Sequence, residues 1–189
     1  ADNRVTGRIT AIMKKINLED GSEARGQRAV LITQAPQYLE DFEFNKNLST
    51  LGVFKAPYTL TEGATRESAT LDIPAFNPAS YLNVPAGATH FRLILGIAAI
   101  PDVVMDTTEN AYIRKIPRSS DPTDIQYSDY TSVDAVTSAI SVVATLPNAY
   151  VPTADESIVT VLGIEFYQEV NANYYLFNGG NAMRIEKIF

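Results

Sequence analysis

Carboxylate side chains are the residues of this chain most capable of chemistry, and they fall into two groups. Four aspartates crowd one polar segment and two glutamates recur on one predicted strand; in chain order they are Asp121, Asp124, Asp129, Asp134, Glu165 and Glu169. Carboxylates cluster around hard cations such as calcium, although the aspartate spacing does not match an EF-hand loop. Two carboxylates about 5–10 Å apart can hydrolyse a glycoside, which makes Glu165 and Glu169 a candidate pair. Plain solvation of surface acids competes with both ideas.

A single histidine, His90, limits other kinds of catalysis. A Ser-His-Asp triad would need it, yet it begins an apolar strand and no Gly-x-Ser-x-Gly motif is present. The chain has no cysteine, so the usual ligands of a transition metal are missing. Neither a phosphate-binding loop nor a dinucleotide fingerprint occurs. The sequence therefore predicts no catalytic residues, no bound metal and no cofactor.

Tyrosine is the residue type best suited here to contact a ligand, because its side chain is rigid and amphipathic. Of the ten tyrosines, these lie in or beside predicted loops and turns: Tyr112, Tyr127, Tyr130, Tyr150, Tyr167, Tyr174 and Tyr175. An ordinary place on the face of a sheet would explain them equally well. If they are exposed, they could stack on sugars or pack against another subunit. We take Tyr112, Tyr127 and Tyr130 as candidate contact residues.

The charge of the chain limits which molecules it could bind. A net charge of −7 argues against nucleic acid as a ligand. Residues 1–28 carry six basic and four acidic side chains, whereas the rest of the chain is strongly acidic. This contrast is either ordinary surface variation or a basic arm that docks on the acidic body of a neighbouring subunit. No run of about 18 apolar residues is present, so no membrane-spanning segment is expected.

Residues 3–17 are predicted to form an amphipathic helix. Its apolar residues recur at helical spacing on one stripe: Val5, Ile9, Ile12, Met13 and Ile16. A helix of this length is marginal in water, so the stripe must be buried against something. It either covers the sheet of its own chain or docks on a partner, in which case the stripe is an assembly interface.

Residues 157–189 predict three antiparallel strands. Two tight turns separate them, at residues 171–173 and 178–181, where Asn and Gly favour the positive φ of short hairpins. Further strands are predicted at 27–33, 38–44, 51–54, 58–61, 68–73, 90–99 and 139–145. Residues 101–135 are predicted to be a long loop excursion, in which 111–116 alone has the character of a strand.

This pattern predicts a mainly β protein: an antiparallel two-sheet β-sandwich, jelly-roll or immunoglobulin-like, with a short N-terminal α-helix. An N-terminal helical arm would cover residues 1–26 and the sandwich domain residues 27–189. Alternation along the strands predicts the following core residues: Phe42, Phe44, Leu71, Ile73, Phe91, Leu93, Leu95, Ile97, Leu162, Ile164 and Phe166.

Five segments carry a resemblance to known sequences. They are Arg-Val-Thr-Gly-Arg-Ile-Thr (4–10), Leu-Glu-Asp-Phe-Glu-Phe-Asn-Lys-Asn (39–47), Pro-Ala-Gly-Ala-Thr-His-Phe-Arg-Leu (85–93), Leu-Gly-Ile-Glu-Phe-Tyr-Gln-Glu-Val-Asn (162–171) and Tyr-Leu-Phe-Asn-Gly-Gly-Asn-Ala-Met (175–183). They resemble a family of uncharacterised proteins from Bacteroidetes-type bacteria. The resemblance leaves out residues 101–135 and implies no activity and no site residues. It favours a bacterial protein that is exported or part of a large assembly.

Three functions follow as hypotheses. The leading one is a non-enzymatic structural subunit that self-assembles into a fibre or shell-like homo-oligomer, outside the cell or at its surface. The alternative is a surface binding module for a carbohydrate or protein ligand, which would use the 101–135 segment and its tyrosines. The third is a glycoside hydrolase that uses a carboxylate pair.

Overall fold

The computed structural model describes residues 2–189, and most of their regular structure is β-strand. The helices are α1 (Val5–Glu19), α2 (Thr50–Val53) and α3 (Pro78–Tyr81), with single 3-10 turns at Ile32–Gln34, Pro36–Tyr38 and Pro147–Ala149. The strands are β1 (Thr59–Glu62), β2 (Ser68–Ile73), β3 (His90–Pro101), β4 (Val103–Asp106), β5 (Ala111–Arg114), β6 (Thr123–Tyr127), β7 (Thr131–Ser132), β8 (Ile140–Thr145), β9 (Glu156–Val170), β10 (Asn173–Leu176) and β11 (Ala182–Ile188).

The large sheet is built on β3 and β9, which pair antiparallel from His90 opposite Tyr167 to Pro101 opposite Glu156. Two strands pair with the other edge of β9: β10 with its last residues and β11 with its first half. β6 and β7 pair with the other edge of β3. The three predicted C-terminal strands are thus confirmed. The turn between β9 and β10 has the expected positive φ, 51° at Asn171 and 60° at Ala172.

A smaller sheet with the order β1-β2-β8 packs on one face of the large sheet. The antiparallel two-sheet sandwich is therefore confirmed. The main core lies between the sheets and contains, among others, Leu71, Ile73, Phe91, Leu93, Leu95, Ile97, Val142, Ala144, Leu162, Ile164 and Phe166. The predicted core is confirmed at every position except Phe44, which is half-buried on the opposite side of the large sheet.

A second core lies on that opposite side, where α1 covers part of the large sheet. Its buried members are Ile16, Ile32, Ala35, Leu39, Phe42, Val159, Ile185 and Ile188. The rest of the α1 stripe, Val5, Ile9, Ile12 and Met13, is half-buried against them. The stripe thus packs against its own chain. The helix itself begins and ends two residues later than predicted.

The strands predicted at 27–33, 38–44 and 51–54 are wrong. The first two segments are mostly irregular and flank the 3-10 turns Ile32–Gln34 and Pro36–Tyr38, where proline fixes φ and removes a backbone donor. They contribute just two isolated bridges, Val30 to Val103 and Glu43 to Arg184. The third segment is the single turn α2, which begins where the carboxylate of Glu43 accepts the backbone N–H of Thr50 at 2.8 Å.

The loop excursion predicted over 101–135 is also wrong, because four strands lie there, of which β5 alone matches the strand character expected at 111–116. β4 and β5 form a separate hairpin, and β6 and β7 belong to the large sheet. Proline at three positions and many polar residues concealed the other three strands, β4, β6 and β7, in the sequence. The polar composition follows from solvent exposure of these strands, since every residue of β5 and most residues of β6 face solvent.

Candidate functional site: an open face of the large sheet

The face of the large sheet that points away from the main core is covered by α1 over one half only. Side chains alternate along a strand, so even-numbered residues of β3 and odd-numbered residues of β9 point to this side. Near Val159 these residues lie under α1, and near His90 and Tyr167 they do not. We call the uncovered part the open face; it comprises His90, Arg92, Ile94, Ile125, Tyr127, Tyr130, Gly163, Glu165, Tyr167, Glu169, Tyr174 and Met183.

Arg92 organises the aromatic residues of the open face. Its guanidinium carbon lies 4.5 Å from the ring centre of Tyr127 and 4.6 Å from that of Tyr130. Tyr130 also stacks on Tyr174, with ring centres 3.9 Å apart and planes 9° from parallel. Two groups this close cannot share one face of a ring, so Tyr130 is held between Arg92 and Tyr174. We call these four side chains the tyrosine ladder.

The ladder is fixed from below. The Nε of Arg92 donates to the carbonyl oxygen of Ser128 at 2.9 Å. Tyr167 packs edge-on against Tyr130, with ring centres 4.9 Å apart, and its hydroxyl donates to Glu165 Oε2 at 2.6 Å. Burial and then this hydrogen bond raise the pKa of Tyr167, so its hydroxyl stays a donor. These contacts hold the tyrosine rings in place.

His90 closes the far end of the ladder. Its ring centre is 5.0 Å from that of Tyr174, and its Nδ1 is 2.9 Å from the hydroxyl of Thr89. Its Nε2 lies 3.6 Å from Glu169 Oε2. The imidazole of His90 therefore contacts an aromatic ring, a threonine hydroxyl and a carboxylate. These contacts are typical of a structural histidine that is packed and hydrogen-bonded.

A groove of about 540 Å³ runs across the sheet beside the ladder. Its floor is a row of cross-strand neighbours, one from each of four adjacent strands: Tyr127, Ile94, Gly163 and Met183. Gly163 has no side chain, and a Cβ there would lie 3.3 Å from Ile94 and from Met183. The glycine therefore lets Ile94 and Met183 pack closely on either side of β9. We call this groove the outer groove.

The walls of the outer groove come from three other places in the chain. Ile125 of β6 is 56 % exposed at one side, and Phe44 lies at another. The turn 178–181 forms the third wall. Asn181 fixes this turn, since its side chain accepts the backbone N–H of Phe166 at 2.9 Å and donates to the carbonyl oxygen of Phe177 at 2.6 Å. The groove is thus open, mainly apolar and rigidly bounded.

Two of the three candidate tyrosines, Tyr127 and Tyr130, lie on the open face. Tyr112 does not, because its hydroxyl donates to the carbonyl oxygen of Arg28 at 2.9 Å and ties β5 to the N-terminal segment. Sequence reasoning missed Arg92 and Gly163. The alternation of β3 and β9 already placed both on one side, but their meeting depends on strand register.

The candidate carboxylates do not converge. Glu165 and Glu169 are four residues apart on the continuous strand β9, which separates their Cα atoms by about 13 Å. Their carboxylates turn to different partners, that of Glu165 to the hydroxyl of Tyr167 and that of Glu169 to His90. Asp121 pairs instead with Arg114 and Arg118.

The remaining acids of the 101–135 segment are also separate. Asp124 accepts the backbone N–H of Thr145 at 3.0 Å, on the neighbouring sheet. Over residues 2–189, no three His, Asp or Glu side chains are grouped as they would be around a metal ion. The calcium site considered from the spacing of these acids therefore has no counterpart in the described part of the chain.

Comparison with known proteins identifies no relative: no family model, no curated protein and no solved structure matches this chain. The resemblance to uncharacterised bacterial proteins therefore stays a prediction. None of the helices within residues 2–189 is both long and apolar enough to cross a bilayer.

Proposed function

We propose that the protein is a non-enzymatic binding module whose contact surface is the open face. The observation that carries the proposal is the tyrosine ladder beside an open apolar groove. Ile125, Tyr127, Tyr130 and Tyr174 leave between 37 % and 56 % of their surface exposed in one contiguous region. Contiguous exposed apolar surface rimmed by polar groups is typical of sites that bind another molecule.

Rigidity supports the same proposal. Tyr127 and Tyr130 are held by Arg92, and Tyr167 is held by Glu165, so little side-chain freedom is lost when a ligand binds. Tyrosine and arginine are also the residue types that contribute most to binding energy at interfaces. A face prearranged in this way binds without rearrangement.

Self-assembly into a homo-oligomer is a second candidate, for which β10 provides support. The strand is the edge of the large sheet, and Tyr175 and Leu176 on it are 58 % and 52 % exposed. An exposed apolar edge strand can pair with another chain. The stripe of α1 no longer supports this candidate, because its own chain covers it.

A matched pair of tyrosine variants tests the binding module. Tyr127 and Tyr112 are similarly exposed, at 44 % and 48 %, but just Tyr127 lies on the open face. Wild-type protein, Tyr127→Ala and Tyr112→Ala are applied to glycan and peptide arrays. The proposal expects a signal that drops about tenfold or more in Tyr127→Ala and persists in Tyr112→Ala. Equal loss in both variants, or no signal from wild-type protein, would overturn it.

A further inference from the structure

We infer that the outer groove receives an apolar side chain of a protein ligand, and that a lysine or arginine next to it in that ligand pairs with Glu165. The inference rests on the proposed binding function and goes further by naming the chemical class of the ligand. Three features carry it: the apolar floor, the carboxylate of Glu165 at the rim, which accepts the Tyr167 hydroxyl but forms no ion pair, and the net charge of the chain.

The shape and lining of the groove fit an apolar side chain. Ile94 and Met183 line the groove, and Ile125 stands beside them more than half exposed. An aliphatic or aromatic side chain seated there would remove Ile125 from water, which is favourable in proportion to the apolar area covered.

The carboxylate of Glu165 has no cationic partner within the described residues. Along β3 and β9 its cross-strand neighbour is Arg92, but that guanidinium is turned onto Tyr127 and Tyr130. None of the ion pairs formed within residues 2–189 includes Glu165. The other charged residue that lines the groove, Asp2, is paired with Arg8 at 2.6 Å.

The charge of the whole chain selects among ligands. At −7 it attracts basic partners and repels a second copy of itself. A sugar would need several hydrogen-bonding groups on the floor, and the floor presents Ile94, Met183 and the edge of Tyr127 instead. Asn181 is already engaged on both its oxygen and its nitrogen. A basic, partly apolar protein segment therefore matches this groove better than either alternative.

Short peptides of defined sequence test the inference by NMR. The probes are Ac-Gly-Lys-Phe-Lys-Gly-NH2, its Glu-Phe-Glu counterpart, its Lys-Gly-Lys counterpart and maltotetraose. We expect the first peptide to shift the backbone amide signals of Ile94, Ile125, Gly163 and Met183. The other two peptides, which lack either the cation or the apolar side chain, should shift them much less.

Two variants with matched controls locate the contacts. Ile125→Ser should weaken binding of the first peptide about tenfold, and Val143→Ser, at a similarly exposed strand position in the other sheet, should not. Glu165→Gln should weaken it about two- to fivefold and abolish most of its salt dependence, whereas Glu62→Gln on β1 should have no effect. The amide spectrum of each variant shows directly that it is folded.

The outcomes separate this inference from the binding function itself. Equal shifts with the Glu-Phe-Glu or Lys-Gly-Lys peptide would overturn the inferred ligand. If maltotetraose shifts the open-face amides and no peptide does, the ligand is a sugar and the inference fails, although the binding module stands. If the amide signals of Ile94, Ile125, Gly163 and Met183 shift with protein concentration as a larger species forms, a second copy occupies the groove and the inference fails. If no probe shifts any open-face amide, both proposals fail.

Discussion

At the scale of single residues, Arg118 ties the 101–122 segment to the sandwich. Its guanidinium contacts the carboxylate of Glu156, donates to the carbonyl oxygen of Ala99 at 2.7 Å and pairs with Asp121 at 3.0 Å. Glu156 is fully buried, and burial alone would raise its pKa. The hydrogen bonds from Thr153, Tyr150 and Arg118 outweigh burial and lower the pKa below its ordinary value of 4.5.

Replacing Glu156 with Gln should therefore cost stability in a pH-dependent way. A lowered folded-state pKa means that the ionised carboxylate stabilises the fold above about pH 4.5, and that this contribution disappears as the pH falls through the folded-state pKa. We expect a loss of about 2–3 kcal/mol at pH 7 and a much smaller one near pH 3. Urea unfolding at both pH values measures it, with Glu62→Gln as the exposed control. An equal loss at both pH values would contradict the prediction.

Core packing gives a second residue-scale prediction. Leu93 lies in the main core with no exposed surface, whereas Val143 on β8 is 52 % exposed. Truncating a buried leucine removes its transfer free energy and leaves a cavity. Leu93→Ala should lower the free energy of unfolding by about 2–5 kcal/mol, and Val143→Ala should change it by less than about 0.5 kcal/mol. Chemical denaturation measures both, and similar losses at the two sites would show that the sheet faces are assigned wrongly.

At the scale of elements, α1 belongs to the body of its own chain. Its stripe packs on the second core, and polar contacts hold both ends. Arg8 donates to the carbonyl oxygen of Glu43 at 2.7 Å near the beginning, and Asn17 donates to the carbonyl oxygen of Ala29 at 3.2 Å near the end. A 15-residue helix without a side-chain N-cap depends on such packing.

Deleting residues 1–17 should expose Val159, Ile185 and Ile188 while leaving the two sheets in place. The expected result is a lower melting temperature and new binding of a hydrophobic dye, with the β signal in circular dichroism retained. Unchanged thermal stability would show that α1 contributes nothing to its own chain. If the deletion dissociates a homo-oligomer and leaves a stable monomer, α1 has a role in assembly.

The turn between β9 and β10 gives a further element-scale prediction. Ala172 adopts a left-handed conformation with φ of 60°, which costs a residue with a Cβ roughly 1–2 kcal/mol. Glycine avoids that cost but loses more entropy on folding. Ala172→Gly should therefore stabilise the protein by about 0.5–1 kcal/mol. Ala64, in a turn where φ is not positive, is the control, and Ala64→Gly should give no gain. A destabilised Ala172→Gly would refute the strain argument.

At the scale of the whole molecule, the proposed binding module should be a monomer of 20.7 kDa. The largest apolar stripe, that of α1, is covered within the chain, and the net charge of −7 opposes association. Analytical ultracentrifugation in about 20 mM and 500 mM salt checks this. A large species at both salt concentrations would favour the structural subunit over the binding module, and pairing through β10 would then be tested first.

Local pattern determined much of this molecule. Alternation located β2, β3 and β9 and the core residues on them, β-branched residues located β8, and helical spacing located α1, because side-chain direction within one element follows from its own geometry. Asn and Gly marked the two C-terminal turns through their tolerance of positive φ. The mainly β, antiparallel character of the protein followed from these signals without any knowledge of tertiary contacts.

The tertiary structure decided the rest, since pairing between distant segments leaves no local periodicity. β6 is short and exposed, and it is a strand because the edge of β3 pairs with it. The α1 stripe had two candidate partners, its own sheet or another subunit, and it packs on its own sheet, on the first half of β9 and on β11. The tyrosine ladder needs β3, β6 and β10 in one register, because its members come from places as far apart in the chain as Arg92 and Tyr174. Register is a property of the assembled sheet, so no reading of one strand could reveal it.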